Sequence, residues 1–283
     1  MNPEFSENKT VWSKERSAYG YDRLLYFNPR MSKGDWWRSG QLNRITPDYY
    51  QRALAGQLKG EMERYESLDE VIDIYTDKQK LFLDAGCGDG KLLVGLHSRG
   101  YMAEGIEAEA ATVRKIKDLF PYLRISQGNA LKIERENEYY GTYISLGVIE
   151  HRRQGPEAFL REAWRVLIPG GILLVSVPYI NIVRRIKTLF NIYKRRQMPE
   201  ENFFQYVFSH KEFVHLLDLT GFRLLNTREY GLIYGLIVED LPLLRKYYIR
   251  NGTFRKMLGW VGTNFKRRNY LSNMMLFICR KIV

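Results

Sequence analysis

From Leu81 to Val177 the chain alternates short strand-like segments with stretches whose apolar residues return every three or four positions. Leu81–Leu83, Met102–Ile106, Arg124–Ser126, Tyr143–Leu146 and Ile172–Val177 predict strands. Lys91–Gly100, Val113–Phe120 and Pro156–Leu167 predict helices. Ile172–Val177 is apolar on both faces, as a strand covered from each side must be. This alternation predicts a parallel sheet with helices on both faces.

Past Pro178 the rhythm breaks. Ile182 to Arg196 is basic and amphipathic, with Ile182, Ile186, Leu189, Phe190 and Tyr193 on one helical face. That face is expected to pack on the protein as part of a lid, the rival being a surface helix on anionic lipid. Arg184, Arg185, Lys187, Lys194, Arg195 and Arg196 surround it. Ser209 is positioned to cap a helix through Phe213, Leu216 and Leu217 that ends at Gly221. Phe222–Leu225 and Met274–Cys279 read as the last two strands. Near the start, Thr46 as N-cap and Pro47 at the first helical position open a helix through Tyr50, Leu54 and Leu58 towards Tyr65. Leu68, Val71, Ile72 and Tyr75 continue at helical spacing.

The 283 residues, 45% of them apolar, suffice for one full core with an elaborated edge. No apolar run reaches the roughly 18–20 residues of a spanning helix, and the first residues lack the pattern of a signal peptide; both favour a cytoplasmic setting. Cys87 and Cys279 stand far apart, against a zinc site or a disulfide framework. The net charge of +12 is localised: residues 1–179 balance, while 180–283 hold 19 basic and 7 acidic residues. Such a bias points to an acidic partner or surface, or to a plain solvated face.

The chemistry concentrates in Leu83-Asp84-Ala85-Gly86-Cys87-Gly88-Asp89-Gly90, directly after the first strand of the alternating region. Glycines there allow a tight turn and close approach of a ligand to the backbone. Glu107 ends the next strand, where a carboxylate can accept two ribose hydroxyls. Gly128-Asn129-Ala130 follows the third strand, and Ser145 to His151 closes the fourth. The glycine spacing is Gly86-x-Gly88-x-Gly90, unlike the GxGxxG of dinucleotide dehydrogenases.

With these motifs in place, the stretch from Leu81 to Val177, the Phe208-to-Leu225 helix and strand, and the terminal strand resemble the class I methyltransferase superfamily, in particular its branch modifying small molecules, quinones and glycans. The resemblance implies a Rossmann-like, doubly wound α/β fold with a mostly parallel seven-stranded sheet and an antiparallel terminal strand. Residues 1–80 would form an N-terminal helical cap, and 81–283 the catalytic domain. The latter would carry a lid insert at about 180–208 and a basic insert at about 230–273. S-adenosylmethionine is the implied cofactor. Asp84, Gly86, Cys87 and Gly88 would line its methionine and ribose, and Glu107 with Ala108 would hold the ribose. Asn129 and Ala130 would flank the adenine, and Leu146 would lie near the sulfonium. Tyr21, in Ala18-Tyr19-Gly20-Tyr21-Asp22, would close the site. Two positions depart from the family: Asn129 stands where Asp is frequent, and Gly141 where an acidic residue usually starts the fourth strand.

His151 is positioned to serve as a general base for a hydroxyl or protonated amine, its other reading being a hydrogen bond that shapes the turn. Glu150 reads as a helix-start carboxylate; His97, His210 and His215 carry no partner pattern. Trp36 and Trp37 either line an acceptor pocket or cover the core. The acceptor classes are a small molecule, sugar or lipid-linked compound, with a peripheral anionic membrane as partner; or RNA, on the Tyr and Arg residues of 245–268. A cofactor-binding protein without activity is the third reading. No Asn-Pro-Pro-Tyr-type tetrapeptide follows the fourth strand, which disfavours base methylation.

Overall fold

The computed structural model describes residues 11–27, 45–54, 68–196, 199–231, 251–253 and 271–282. Its centre is a seven-stranded sheet in the order β5 (Arg124–Gln127), β4 (Ala103–Glu107), β3 (Phe82–Ala85), β6 (Tyr140–Leu146), β7 (Leu167–Pro178), β10 (Met274–Lys281), β9 (Phe222–Tyr230). β5 through β7 pair in parallel, and β10 runs antiparallel to both its neighbours. The chain leaves β3 outward through β4 and β5, then returns to the other side of β3 as β6. That reversal opens a crevice at the carboxyl ends of β3 and β6, where open α/β sheets bind ligands.

The central strands β3, β6, β7 and β10 are largely buried because both faces are covered. Leu83, Tyr143, Leu173 and Phe277 face α5 (Glu157–Val166) and α7 (His210–Leu219), through Leu160, Ala163, Phe213 and Leu216. Their neighbours Phe82, Ile144, Leu174 and Ile278 face helical residues 68–75 (α2) and α3 (Lys91–Ser98), through Leu68, Val71, Ile72, Leu92 and Leu96. Adjacent residues thus serve opposite layers, as the two-residue period of a strand requires. A third cluster joins α1 (Pro47–Leu54) and α4 (Ala110–Leu119) to α3 through Tyr50, Ile116 and Leu93. The caps form as expected: Thr46 Oγ1 accepts from Tyr49 N at 3.3 Å, and Ser209 Oγ from Glu212 N at 3.2 Å.

Three expectations need correction. The first 80 residues are not simply a helical cap. β1 (Val11–Arg16) and β2 (Asp22–Phe27) form an antiparallel hairpin, and β8 (Phe203–Val207) adds a third strand from within the expected lid. The buried Arg23–Glu212 ion pair, at 2.7 Å, clamps this small sheet to α7, and the guanidinium also lies 4.7 Å over the Tyr206 ring. Next, the helix after β7 is short: α6 covers Ile182–Leu189, and Tyr193 beyond it is buried against Leu24, Ile180 and Val207. Finally, the apolar stripe of α6 is not packed inward. Ile182, Ile186, Leu189 and Phe190 are exposed, while Arg184, expected on the charged rim, is fully buried. Trp36, Trp37, Leu58, Tyr65 and most of the 230–273 insert lie outside the described residues.

Candidate active site

The loop after β3 is tied down before any ligand is considered. Gly86 and Cys87 both donate their N–H to the Ile106 carbonyl of β4, at 2.9 and 3.0 Å. Gly86 sits at φ +82°, and a Cβ there would meet Val148 Cγ2 at 2.7 Å, so backbone conformation and contact both require glycine. Glu107, at the carboxyl end of β4, accepts from Gly88 N at 2.9 Å with one oxygen and from Glu109 N at 3.0 Å with the other. The carboxylate is thereby fixed beside the loop.

Sequence reasoning missed the support behind this loop. Asp89 accepts from Tyr49 Oη at 3.1 Å and from Lys91 N at 3.2 Å, and Tyr50 Oη donates to the Asp89 carbonyl. Two consecutive tyrosines on α1 thus brace the glycine turn. Cys87 is buried, and burial, followed by the charges of Asp84, Glu107 and Asp89, pushes its thiol well above the usual range. It therefore packs as an apolar side chain rather than acting as a nucleophile. The three carboxylates that hold the thiol neutral also make the loop a favourable setting for a sulfonium cation. With Gly86 to Gly90 leaving the backbone uncovered, the residues present fit S-adenosylmethionine.

The remaining expected residues follow the strand order. Asp84, Glu107 with Ala108, and Asn129 with Ala130 stand at the carboxyl ends of β3, β4 and β5, along one rim. The Asn129 side chain is exposed, and its Oδ1 accepts from Leu131 N at 2.9 Å, closing an Asx turn. The amide oxygen shapes its own loop, a job an aspartate there would do equally. Leu146 is half-buried at the end of β6, across β3 from that rim. Gly141, the other departure, has a plain cause: a Cβ there would stand 2.3 Å from Lys80 Cβ. Tyr21 is not brought to the loop. Its N–H donates to Ser17 Oγ at 3.2 Å and its ring lies 5.7 Å from that of His215 on α7.

His151 ends a 3-10 turn (Ile149–His151) after β6, beside the crevice. Its Nδ1 is 2.7 Å from the Phe204 carbonyl, and the two rings stack edge-on at 4.6 Å. A carbonyl only accepts, so Nδ1 carries a proton and Nε2 is the ring position left to exchange one. The buried Glu150 carboxylate lies 3.9 Å from that nitrogen. Below, Tyr206 Oη donates to the Arg153 carbonyl at 2.8 Å, and Arg153 pairs with Glu15 at 3.3 Å, joining β1, β8 and the turn after β6. The aromatics Phe203, Phe204 and Tyr206 were the available signal for β8, but its partner strand β2 is near the other end of the chain.

Comparison with known proteins agrees with this geometry. Residues 83–175 match the methyltransferase domain family. A probable S-adenosylmethionine-dependent methyltransferase of Mycolicibacterium smegmatis is 28% identical over 159 residues, 56% of this chain and 57% of that protein. The chain thus spans little more than half the length of that curated relative. A crystal structure of an S-adenosylmethionine-dependent methyltransferase from Methanosarcina mazei superposes with a TM-score of 0.52 at 19% identity, over 75% of this chain and 97% of its own. The [4+2]-cyclase SpnF also shares the fold, with a TM-score of 0.51 at 18% identity, over 77% and 80% of the two chains. The chain thus has the Rossmann-like α/β fold of these proteins, residues 83–175 are similar to the methyltransferase domain family, and S-adenosylmethionine is the cofactor that this match and the residues of the loop support.

Proposed function

We propose that the chain methylates a hydroxyl or amine on a small-molecule, sugar or lipid-linked acceptor in a cytoplasmic setting, with His151 taking the acceptor's proton. The observation that carries this reading is the juxtaposition at one end of the sheet of the glycine loop, Glu107 and a histidine whose Nδ1 is engaged by the Phe204 carbonyl, leaving Nε2 to exchange a proton. The cofactor supplies an activated methyl group. Glu107 and the glycine loop would position it, and Leu146 would wall the reacting centre against water. Holding acceptor and methyl in line, with water excluded, provides much of the acceleration. Transfer of that methyl group would break its bond to sulfur and release S-adenosylhomocysteine, while His151 Nε2 would take the acceptor's proton and Glu150 would face the imidazolium that results.

The cyclase sharing this fold shows that the scaffold alone does not assign the reaction. The test is methyl transfer itself. Protein incubated with methyl-tritiated cofactor and fractionated cell extract should place label in a small-molecule or lipid-soluble fraction. Label confined to RNA would establish the alternative acceptor class, and no label in any fraction would favour a binding protein without transfer activity.

A further inference from the structure

We infer that α6 and the turn after it, residues 182–192, form a docking surface for an anionic lipid bilayer. The helix is amphipathic in the inverted sense: its polar side is inward and its apolar side outward. Ile182, Ile186, Leu189, Phe190 and Ile192 are 43%, 47%, 83%, 76% and 59% exposed. A stripe of this kind is normally the buried side of a surface helix.

The orientation is held from beneath. Arg184 is fully buried, donates from Nη1 to the Tyr179 carbonyl at 3.0 Å, and stacks its guanidinium 5.2 Å over the Trp12 ring. Asn181 Oδ1 caps the helix by accepting from Arg184 N at 2.9 Å, and buried Tyr193 returns the chain to the body, 5.6 Å from the Trp12 ring. Rolling the apolar stripe inward would expel a cation from its stacking and hydrogen-bonding seat.

Charge identifies the occupant. Arg185, Lys194 and Arg195 are exposed around the stripe, and residues 180–196 contain no acidic side chain. A second copy of the chain would bring the same positive rim against itself, whereas an anionic surface accepts both the cations and the apolar side chains. Eight residues of helix are about 12 Å long, far short of the roughly 30 Å hydrocarbon core, so the contact is interfacial. α6 begins four residues beyond β7, at the end of the sheet that also carries the glycine loop and His151. Docking there sets the crevice near the bilayer surface. The inference does not rest on methyl transfer, since vesicle binding and cofactor binding are read separately.

The test is co-sedimentation of the full chain with vesicles of phosphatidylcholine alone or mixed with phosphatidylglycerol, at low and high salt. The protein should pellet with the mixed vesicles, remain soluble with phosphatidylcholine, and be released by salt. Leu189→Ser/Phe190→Ser, and separately Arg185→Ser/Lys194→Ser/Arg195→Ser, should each weaken binding by about tenfold or more, with S-adenosylhomocysteine binding unchanged. For the unmodified protein, hydrogen exchange with and without mixed vesicles should show protection within 182–196. Failure to pellet at low salt, binding unchanged by both variants, or no protection of that segment would overturn the inference. So would a concentration-dependent dimer abolished by Leu189→Ser/Phe190→Ser, or protection of 182–192 without vesicles by another segment of the chain.

Discussion

In the proposed reaction Glu107 and His151 are the residues on which the chemistry turns, and each makes a separable prediction. Glu107 is held by two backbone N–H groups rather than by a cation, so its charge is available to a ligand. Glu107→Ala should cost roughly 1.5–3 kcal/mol of binding, a loss of about ten- to a hundredfold in cofactor affinity. An unchanged dissociation constant in calorimetry would remove it from the site. His151→Ala should lower turnover by about a hundredfold or more while leaving cofactor affinity intact; full activity in the variant returns the residue to a turn-shaping role. Both are candidates from the sequence because Glu107 ends one strand that periodicity marks and His151 stands in the turn just after another. Tyr21 was not correctly placed, since a motif near the N-terminus says nothing about which distant helix it meets. Asn129 was read for its amide, but the competition between ligand and its own Asx turn appears only in three dimensions.

At the level of elements, the parallel strands were legible because short apolar runs, longest in β7 where both sides are covered, alternate with helical periodicity. The β1–β2–β8 sheet was not, because β2 pairs with a strand nearly 180 residues later and no local pattern reports that. Its attachment can be tested. Arg23→Ala would strand the buried Glu212 carboxylate and should destabilise the protein by about 3–5 kcal/mol, whereas Arg23→Met with Glu212→Leu should recover most of the loss. Denaturant unfolding of the two variants checks this, and equal losses in the single and double variants would contradict the clamp. Glu162 offers a pH-dependent case on α5. Burial alone would raise its carboxyl, but Arg165, at 2.7 and 2.9 Å, and Ile133 N, at 2.6 Å, outweigh it and hold the group below its ordinary value. Because the folded carboxyl is the stronger acid, its contribution is complete above the unfolded value of 4.5 and is lost as pH falls through the folded one. Glu162→Gln should therefore be less stable than the wild type at neutral pH, by about 1.5–3 kcal/mol, with the gap closing in acid. A gap independent of pH would contradict the assignment.

For the molecule as a whole, sheet order explains why one end carries everything described. The carboxyl ends of β3, β4, β5 and β6 bring together four segments spread from Asp84 to His151, and the small sheet anchors His151 through the Phe204 carbonyl. The chain's net positive charge lies wholly after Tyr179, which was apparent from the sequence, but the outward turn of α6 was not. Periodicity identifies an amphipathic helix without saying which side the body covers, and here a buried arginine decided it. The central claim is that the β3 loop and Glu107 form a site for S-adenosylmethionine, and titration calorimetry tests it most directly. The account predicts saturable binding of S-adenosylhomocysteine and none of NAD. It also predicts loss of that binding in a folded Gly86→Val protein, because a side chain there drives the loop off Val148 and out of its left-handed turn. Binding of NAD with no binding of either adenosyl compound would contradict it.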